Sequence, residues 1–365
     1  MIGDFRLTAR KLFLSFISIL FLLILIELLI RFIPRTFINY NLGRYAVSEK
    51  DVDFMNRNFR ESGRYFYRPA LIPGLGYELI PGVSTMHARV NSLGLVGKER
   101  EIKKRKNTYR ILLLGDSIIQ EGFFAEYLEK LLDDLYPQWN FEVWNAGVGG
   151  YQINQYAVYL KHKGIKYNPD IVIVNLGLND FSINNVVYYL TKDGVIAYHN
   201  FANQLSKVIP LNKWLFRHSY LYRLLISKAE TICLVSNTVK GADNSQREGE
   251  YYLESIRNIC QKNNSALLFT VFPYLKPLIE YEDFEKKAYE NIVDACQGLG
   301  IEYIDLHNFF PNKDRSGLRF FKNDYVHFSP MGMEIAAKVV FNYLIGNHLN
   351  GKINNAEKPK KISEY

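Results

Sequence analysis

From residue 105 onward the chain alternates short runs that are apolar on both faces with stretches whose apolar residues recur at helical spacing. Arg110–Leu114 (RILLL) is the first run, and Tyr127, Leu128, Leu131, Leu132 and Leu135 then mark a helix. Phe141–Trp144 is the second run and Ile171–Leu176 the third. Ala266–Val271 is the fourth, followed by a helical pattern over Phe284–Leu299, and Ile301–Leu306 is the fifth. Pro330–Leu344 closes the series, with Ile335, Ala336, Val339, Val340 and Leu344 on one face. Strands without a polar face need helices above and below them, so the pattern predicts a three-layer α/β fold around a parallel sheet. Chemistry in such sheets sits at the carboxyl ends of the strands. The residues that follow each strand are therefore where function is sought.

The remainder of the 365 residues is something attached to that domain. A 48% hydrophobic and 22% charged composition excludes wholesale disorder. Leu12 to Ile30 (LFLSFISILFLLILIELLI) is nineteen residues with one charge, Glu27, placed four before Arg31 as for an ion pair on one helix face. At about 1.5 Å per residue this run, extended by Arg31, Phe32 and Ile33, spans a hydrocarbon core. It exceeds the apolar core of a usual signal peptide, and no small-x-small cleavage site follows it. An uncleaved anchor over 12–33 is expected, and Arg6, Arg10 and Lys11 ahead of it bias the N-terminus toward the cytoplasm. The net charge of +8 is concentrated in residues 1–33 (four basic and two acidic side chains), in 98–110 (seven basic and two acidic) and in the tail 349–365. Nucleic-acid binders gather their charge on one folded face, so no nucleic-acid partner is expected. Cys233, Cys260 and Cys296 have neither a disulfide framework nor metal-ligand spacing, and no metal or cofactor is expected.

Gly115-Asp116-Ser117 follows the first strand, Asn145-Ala146-Gly147-Val148-Gly149-Gly150 the second and Gly177-Leu178-Asn179-Asp180 the third. Asp324-Tyr325-Val326-His327 stands just before the last helix. A serine, glycine amides, an asparagine amide and an aspartate with a histidine are the components of acyl transfer. Each block alone has a plain structural reading: a turn, a phosphate-type loop without its Lys-Ser/Thr, a helix cap, a buried histidine. Together, in this order and at strand ends, they resemble the SGNH/GDSL hydrolase superfamily. The resemblance spans roughly 65–345, because Tyr67-Arg68-Pro69, Leu75-Gly76-Tyr77-x-Leu79 and Asn91-Ser92-Leu93-Gly94 are similar to the lead-in of its membrane-anchored bacterial members. It implies a five-stranded parallel sheet in flavodoxin-like order, preceded by one transmembrane helix. Residues 1–11 would be cytoplasmic, 12–33 the anchor, 34–105 a lead-in, 106–348 the hydrolase domain with a long insertion at 181–250, and 349–365 a flexible basic tail. The protein would be single-pass in a bacterial cytoplasmic membrane, with the domain outside the cytoplasm.

A serine hydroxyl needs an adjacent base, so Ser117 is the expected nucleophile and His327 the base, with Asp324 holding the imidazole. The family blocks imply an oxyanion hole of the Ser117 and Gly150 amides and the Asn179 side chain, while Asp116 and Asp180 orient loops. The expected activity is hydrolysis of carboxylic esters, with short acyl chains and O-acetylated glycans as substrates. An O-acyltransferase using the same acyl-enzyme and a catalytically silent binding or assembly protein are the alternatives. Family members often have a longer loop after the nucleophile with a glycine four residues on; here Gly122 is five on and the helix almost immediate. Within 181–250, LNKWLFRHSYLYRLL (211–225) has a helical pattern that suits a lid, a membrane-lying helix or a helix packed on the domain edge.

Overall fold

The computed structural model describes residues 2–32, 67–85, 87–181, 187–190, 196–199, 211, 214–215, 218–310, 315–322 and 324–349. In chain order its principal elements are α1 (Ile2–Ile30), β1 (Tyr67–Pro69), β2 (Tyr77–Leu79), β3 (Thr108–Gly115), α2 (Ser117–Gln120), α3 (Phe123–Leu135), β4 (Asn140–Gly147) and α4 (Ile153–His162). They continue with β5 (Ile171–Leu176), β6 (Val187–Leu190), β7 (Ile196–His199), α5 (Tyr220–Lys262), β8 (Ala266–Val271), α6 (Asp283–Gly298), β9 (Tyr303–Asp305) and α7 (Pro330–Leu344). The chain divides into two compact units, Met1–Gly63 with Thr191–Ser236, and Arg64–Leu190 with Asn237–Tyr365.

The larger unit is the α/β domain. Its five strands are parallel in the order β4-β3-β5-β8-β9, the flavodoxin-like arrangement. Every residue of β3 and β5 is buried, as two-faced apolar runs require. Ile111, Leu113, Phe141, Val143, Ile171 and Ile173 face α3 and α7, through Phe124, Leu128, Leu132, Ala336, Val340 and Leu344. Leu112, on the opposite face, meets the end of α4, where a Cβ on Gly164 would come within 2.8 Å of Leu112 Cδ2. The second strand outruns its sequence signal: β4 continues through Asn145 to Gly147, because the buried Asn145 satisfies its own side chain.

The lead-in from Tyr67 belongs to this unit. Strands β1 and β2 pair antiparallel, and the Val96 amide bonds Asn145 O at 2.9 Å beside β4. Many basic side chains of 98–110 face carboxylates of the same unit. Lys98 and Arg100 reach Glu129 at 2.8 and 2.5 Å, Lys104 pairs with Asp170, and buried Arg110 bonds Glu142 at 2.7 Å while stacking on Trp144. Cys260 and Cys296 are buried in α5 and α6, where desolvation pushes each thiol up to about 12.

In the smaller unit, Arg10–Ile30 of α1 is long and apolar enough to cross a membrane. Glu27 pairs with Arg31 at 3.1 Å and also accepts from Ser219 Oγ at 2.8 Å and from the Tyr220 and Leu221 amides at 2.9 Å. Ser219 in turn accepts from the Tyr222 amide at 3.0 Å. The helical pattern of 211–225 is therefore interrupted at Ser219, which acts as the N-cap of α5. Residues 34–66, most of 181–210 and the tail from 350 lie outside the described residues.

Candidate active site

Strand order alone creates a place for a site. The chain steps from β3 outward to β4, then crosses back over β3 to β5, and loops diverge at this switch point. Ser117 leaves the end of β3, the glycine loop leaves β4, and Asn179 leaves β5.

Asp116 is the N-cap of α2, accepting the Ile118 amide at 2.8 Å. Ser117 is the first residue of that helical turn, so its own amide has no acceptor within the turn. Its hydroxyl lies 2.9 Å from His327 Nε2. On the other side of the ring, His327 Nδ1 lies 2.7 Å from Asp324 Oδ2, a spacing that selects the tautomer with the proton on Nδ1. Asp324 Oδ1 accepts the Val326 and His327 amides at 2.9 and 3.0 Å. Partial burial pushes the Asp324 carboxyl up. The His327 and Val326 amides and the imidazole outweigh that, and the net shift is downward. Asp324 therefore stays ionised beside the ring. The structure brings Asp324, His327 and Ser117 together in one hydrogen-bonded path.

Gly150 stands at φ +77°, a conformation that glycine adopts without strain. It is the third residue of a turn closed by Tyr151 N–H to Val148 O at 3.0 Å, and its amide has no partner within that turn. The Asn179 side chain contacts the Asp116 carboxylate, which leaves its second amide hydrogen for another acceptor. Asp180 accepts the Gly177 amide at 2.8 Å and the Tyr156 hydroxyl at 3.1 Å. Burial raises the Asp116 and Asp180 carboxyls, and each also feels nearby charge: Asp180 is raised further by Asp116, while His327 and the Ile118 amide oppose the shift at Asp116. Both act on loops, one capping α2 and one closing the turn after β5.

The sequence assigns no role in the site to four neighbours, although Asn145, Tyr67 and Tyr77 lie in blocks that carry the resemblance. Asn145 Nδ2 donates to Ile119 O at 2.7 Å and its Oδ1 accepts the Gly147 amide at 2.9 Å, tying the glycine loop to α2. Gln120 Oε1 accepts from Gly149 N at 2.5 Å and from Tyr67 Oη at 2.9 Å, and Tyr77 Oη donates to Gly149 O at 2.9 Å. Gln120 is signalled only by being polar among apolar neighbours, and the motifs that contain Asn145, Tyr67 and Tyr77 do not say which partners their side chains meet.

Comparison with known proteins follows this geometry. The sequence profile of the GDSL-like lipase/acylhydrolase family matches residues 113–335. No protein of curated function matches the sequence. Similar solved structures include Axe2, an acetylxylan esterase from Geobacillus stearothermophilus, 15% identical over 64% of this chain and 93% of that one, with a TM-score of 0.41. The lipase/acylhydrolase from Enterococcus faecalis is 15% identical over 70% of this chain and 100% of its own, with a TM-score of 0.39. TesA is 12% identical over 64% and 97%, with a TM-score of 0.39.

Proposed function

We propose a mechanism from one premise: the chain belongs to the GDSL-like lipase/acylhydrolase family and hydrolyses ester bonds. Ser117 attacks the ester carbonyl while His327 Nε2 takes its proton, and Asp324 stabilises the imidazolium that forms. The observation that supports this reading is the continuous path Asp324–His327–Ser117, at 2.7 and 2.9 Å, at the carboxyl ends of the sheet. Negative charge developing on the carbonyl oxygen is met by the Ser117 and Gly150 amides and the Asn179 side chain, donors held in place before the charge appears. His327 then protonates the leaving alcohol. Water, deprotonated by the same ring, releases the acid from the acyl-enzyme.

The substrate class we propose is short-chain carboxylic esters outside the cytoplasm, O-acetylated glycans among them. Residues 12–33 hold the protein in the membrane as a single span, supported by the length and apolar character of Arg10–Ile30. An acyltransferase would use the same acyl-enzyme with a sugar hydroxyl in place of water, and product analysis with an added carbohydrate acceptor separates the two.

The decisive test is reaction of the full chain in detergent with a fluorophosphonate probe. Wild type is expected to be labelled at Ser117 and to cleave nitrophenyl acetate. Ser117→Ala is expected to lose both while keeping its thermal transition, since it deletes one hydroxyl. An active Ser117→Ala protein would overturn the assignment.

A further inference from the structure

The peptide between Gly149 and Gly150 carries the amide assigned above to the oxyanion. It is also the central peptide of the turn Val148–Tyr151. Turns of this kind exist in two forms that differ by a half-rotation of that central peptide, with φ at the third residue positive in one and negative in the other. Glycine at both central positions makes either form accessible on steric grounds. A glycine pair alone therefore leaves the Gly150 N–H free to point toward the nucleophile or away from it.

Two side chains remove that freedom. A peptide is planar and trans, so its N–H points opposite to its C=O. Tyr77, fully buried in β2, donates its hydroxyl to Gly149 O at 2.9 Å and so pins one edge of the plane whose other edge is the Gly150 N–H. Gln120, buried in the nucleophile's own helical turn, accepts the Gly149 amide at 2.5 Å and fixes the peptide before it. The tyrosine is itself braced: its ring packs 5.4 Å from Tyr67 and 5.3 Å from Tyr151, and the Tyr151 hydroxyl donates to the Tyr77 carbonyl. Tyr67 bonds Gln120 at 2.9 Å, joining the two supports. The assembly sits at the chemistry. A Cβ on Gly149 would lie 3.6 Å from Ser117 Cβ, 3.0 Å from Gln120 Oε1 and 2.6 Å from Tyr67 Oη.

We infer that Tyr77 and Gln120 are positioning residues which hold the Gly149–Gly150 peptide in its oxyanion-binding orientation. The lead-in hairpin, outside the matched span 113–335, is thereby part of the catalytic apparatus. The inference rests on the proposed serine mechanism and deepens it. A hydrogen bond from a buried phenol to the carbonyl acts without touching substrate. Its loss changes the fraction of time the donor is aimed, and hence turnover, while substrate binding in the ground state is left alone.

Tyr77→Phe and Gln120→Met test this in the full chain. Turnover is measured per active site, with sites counted by the fluorophosphonate endpoint, alongside KM and the affinity for a trifluoromethyl ketone that forms an oxyanion on Ser117. Each variant is expected to lose about 10- to 100-fold in kcat, less than the 10²–10³ typical of deleting a donor outright. KM should stay within about twofold, and ketone affinity should fall in step with kcat/KM. A merely structural role would lower the number of titratable sites or the melting temperature, with turnover per site unchanged. That result in the folded variants overturns the inference. Should Tyr77→Phe fail to fold, Gln120→Met decides alone. A wild-type chain that the probe never labels overturns the serine mechanism and this inference with it, whereas normal labelling with unaffected variants overturns the inference only.

Discussion

Carboxylates at the site divide by the sign of what their surroundings do to them. Asp324 is partly buried, yet two amides and the His327 ring bring its carboxyl below the ordinary range. Its contribution to stability is present above about pH 4, the ordinary aspartate value, and is lost as pH falls through the lowered one. Asp180 is the reverse. It is fully buried, close to Asp116, and one amide and one phenol do not offset the desolvation, so its carboxyl titrates well above the ordinary range. For a group raised on folding, stability is fully present below the unfolded value and is lost as pH rises through the folded one. Asp180→Asn removes that ionisation and keeps an oxygen to accept the Gly177 amide. The melting temperature of Asp180→Asn minus that of wild type is therefore expected to increase as pH rises above about 4, the ordinary aspartate value. A gap that does not change with pH would show that Asp180 is not raised by its site.

Elements carry the next level, and here the apolar helix matters most. On the proposed topology residues 34–365 lie outside the cytoplasm, so protease added to intact spheroplasts is expected to digest the domain. Protection until lysis would reverse the orientation and move the substrate to the cytoplasm. The same helix shows what sequence could and could not reveal. Glu27 and Arg31 at one turn's spacing announced their ion pair, but the three further bonds from Ser219, Tyr220 and Leu221 join residues about 190 positions apart, which no local pattern encodes. The strands were legible because burial on both faces leaves uninterrupted apolar runs: Ile171–Leu176 and Ala266–Val271 end where the sequence says they do. Ile301–Leu306 was overread, since only Tyr303–Asp305 pairs at the sheet edge and Leu306 turns into a short helix. The blocks holding Ser117, Asn179, Asp324 and His327 stood out in the sequence because the proposed chemistry restricts residue type at each. Tyr77 and Gln120 did not, because a supporting hydrogen bond can be supplied by many residue types from anywhere in the chain.

At the scale of the whole molecule, the remaining question is what acyl group the α/β domain admits. Ser117, the proposed nucleophile, is followed by one turn of α2, then Gly122 at φ +92°, then α3, so its own segment provides no long loop to wall a tunnel. What surrounds Ser117 on the glycine-loop side is polar: the Tyr67 hydroxyl and Gln120 Oε1 both lie near Gly149. Near His327, the Phe320 amide bonds the histidine carbonyl at 2.9 Å, and the Phe320 ring meets His87, which also packs on Phe123, at centroid distances of 5.1 and 5.3 Å. A deep apolar channel would reward each buried methylene with about 0.8 kcal/mol, close to fourfold in kcat/KM. A shallow pocket returns little beyond the first one or two carbons, because the added chain stays in water. Nitrophenyl acetate and propionate are therefore expected to be cleaved with higher kcat/KM than the octanoate. A kcat/KM that climbs steadily from two to eight carbons would show a deep channel, and the short-chain preference would then have to be abandoned.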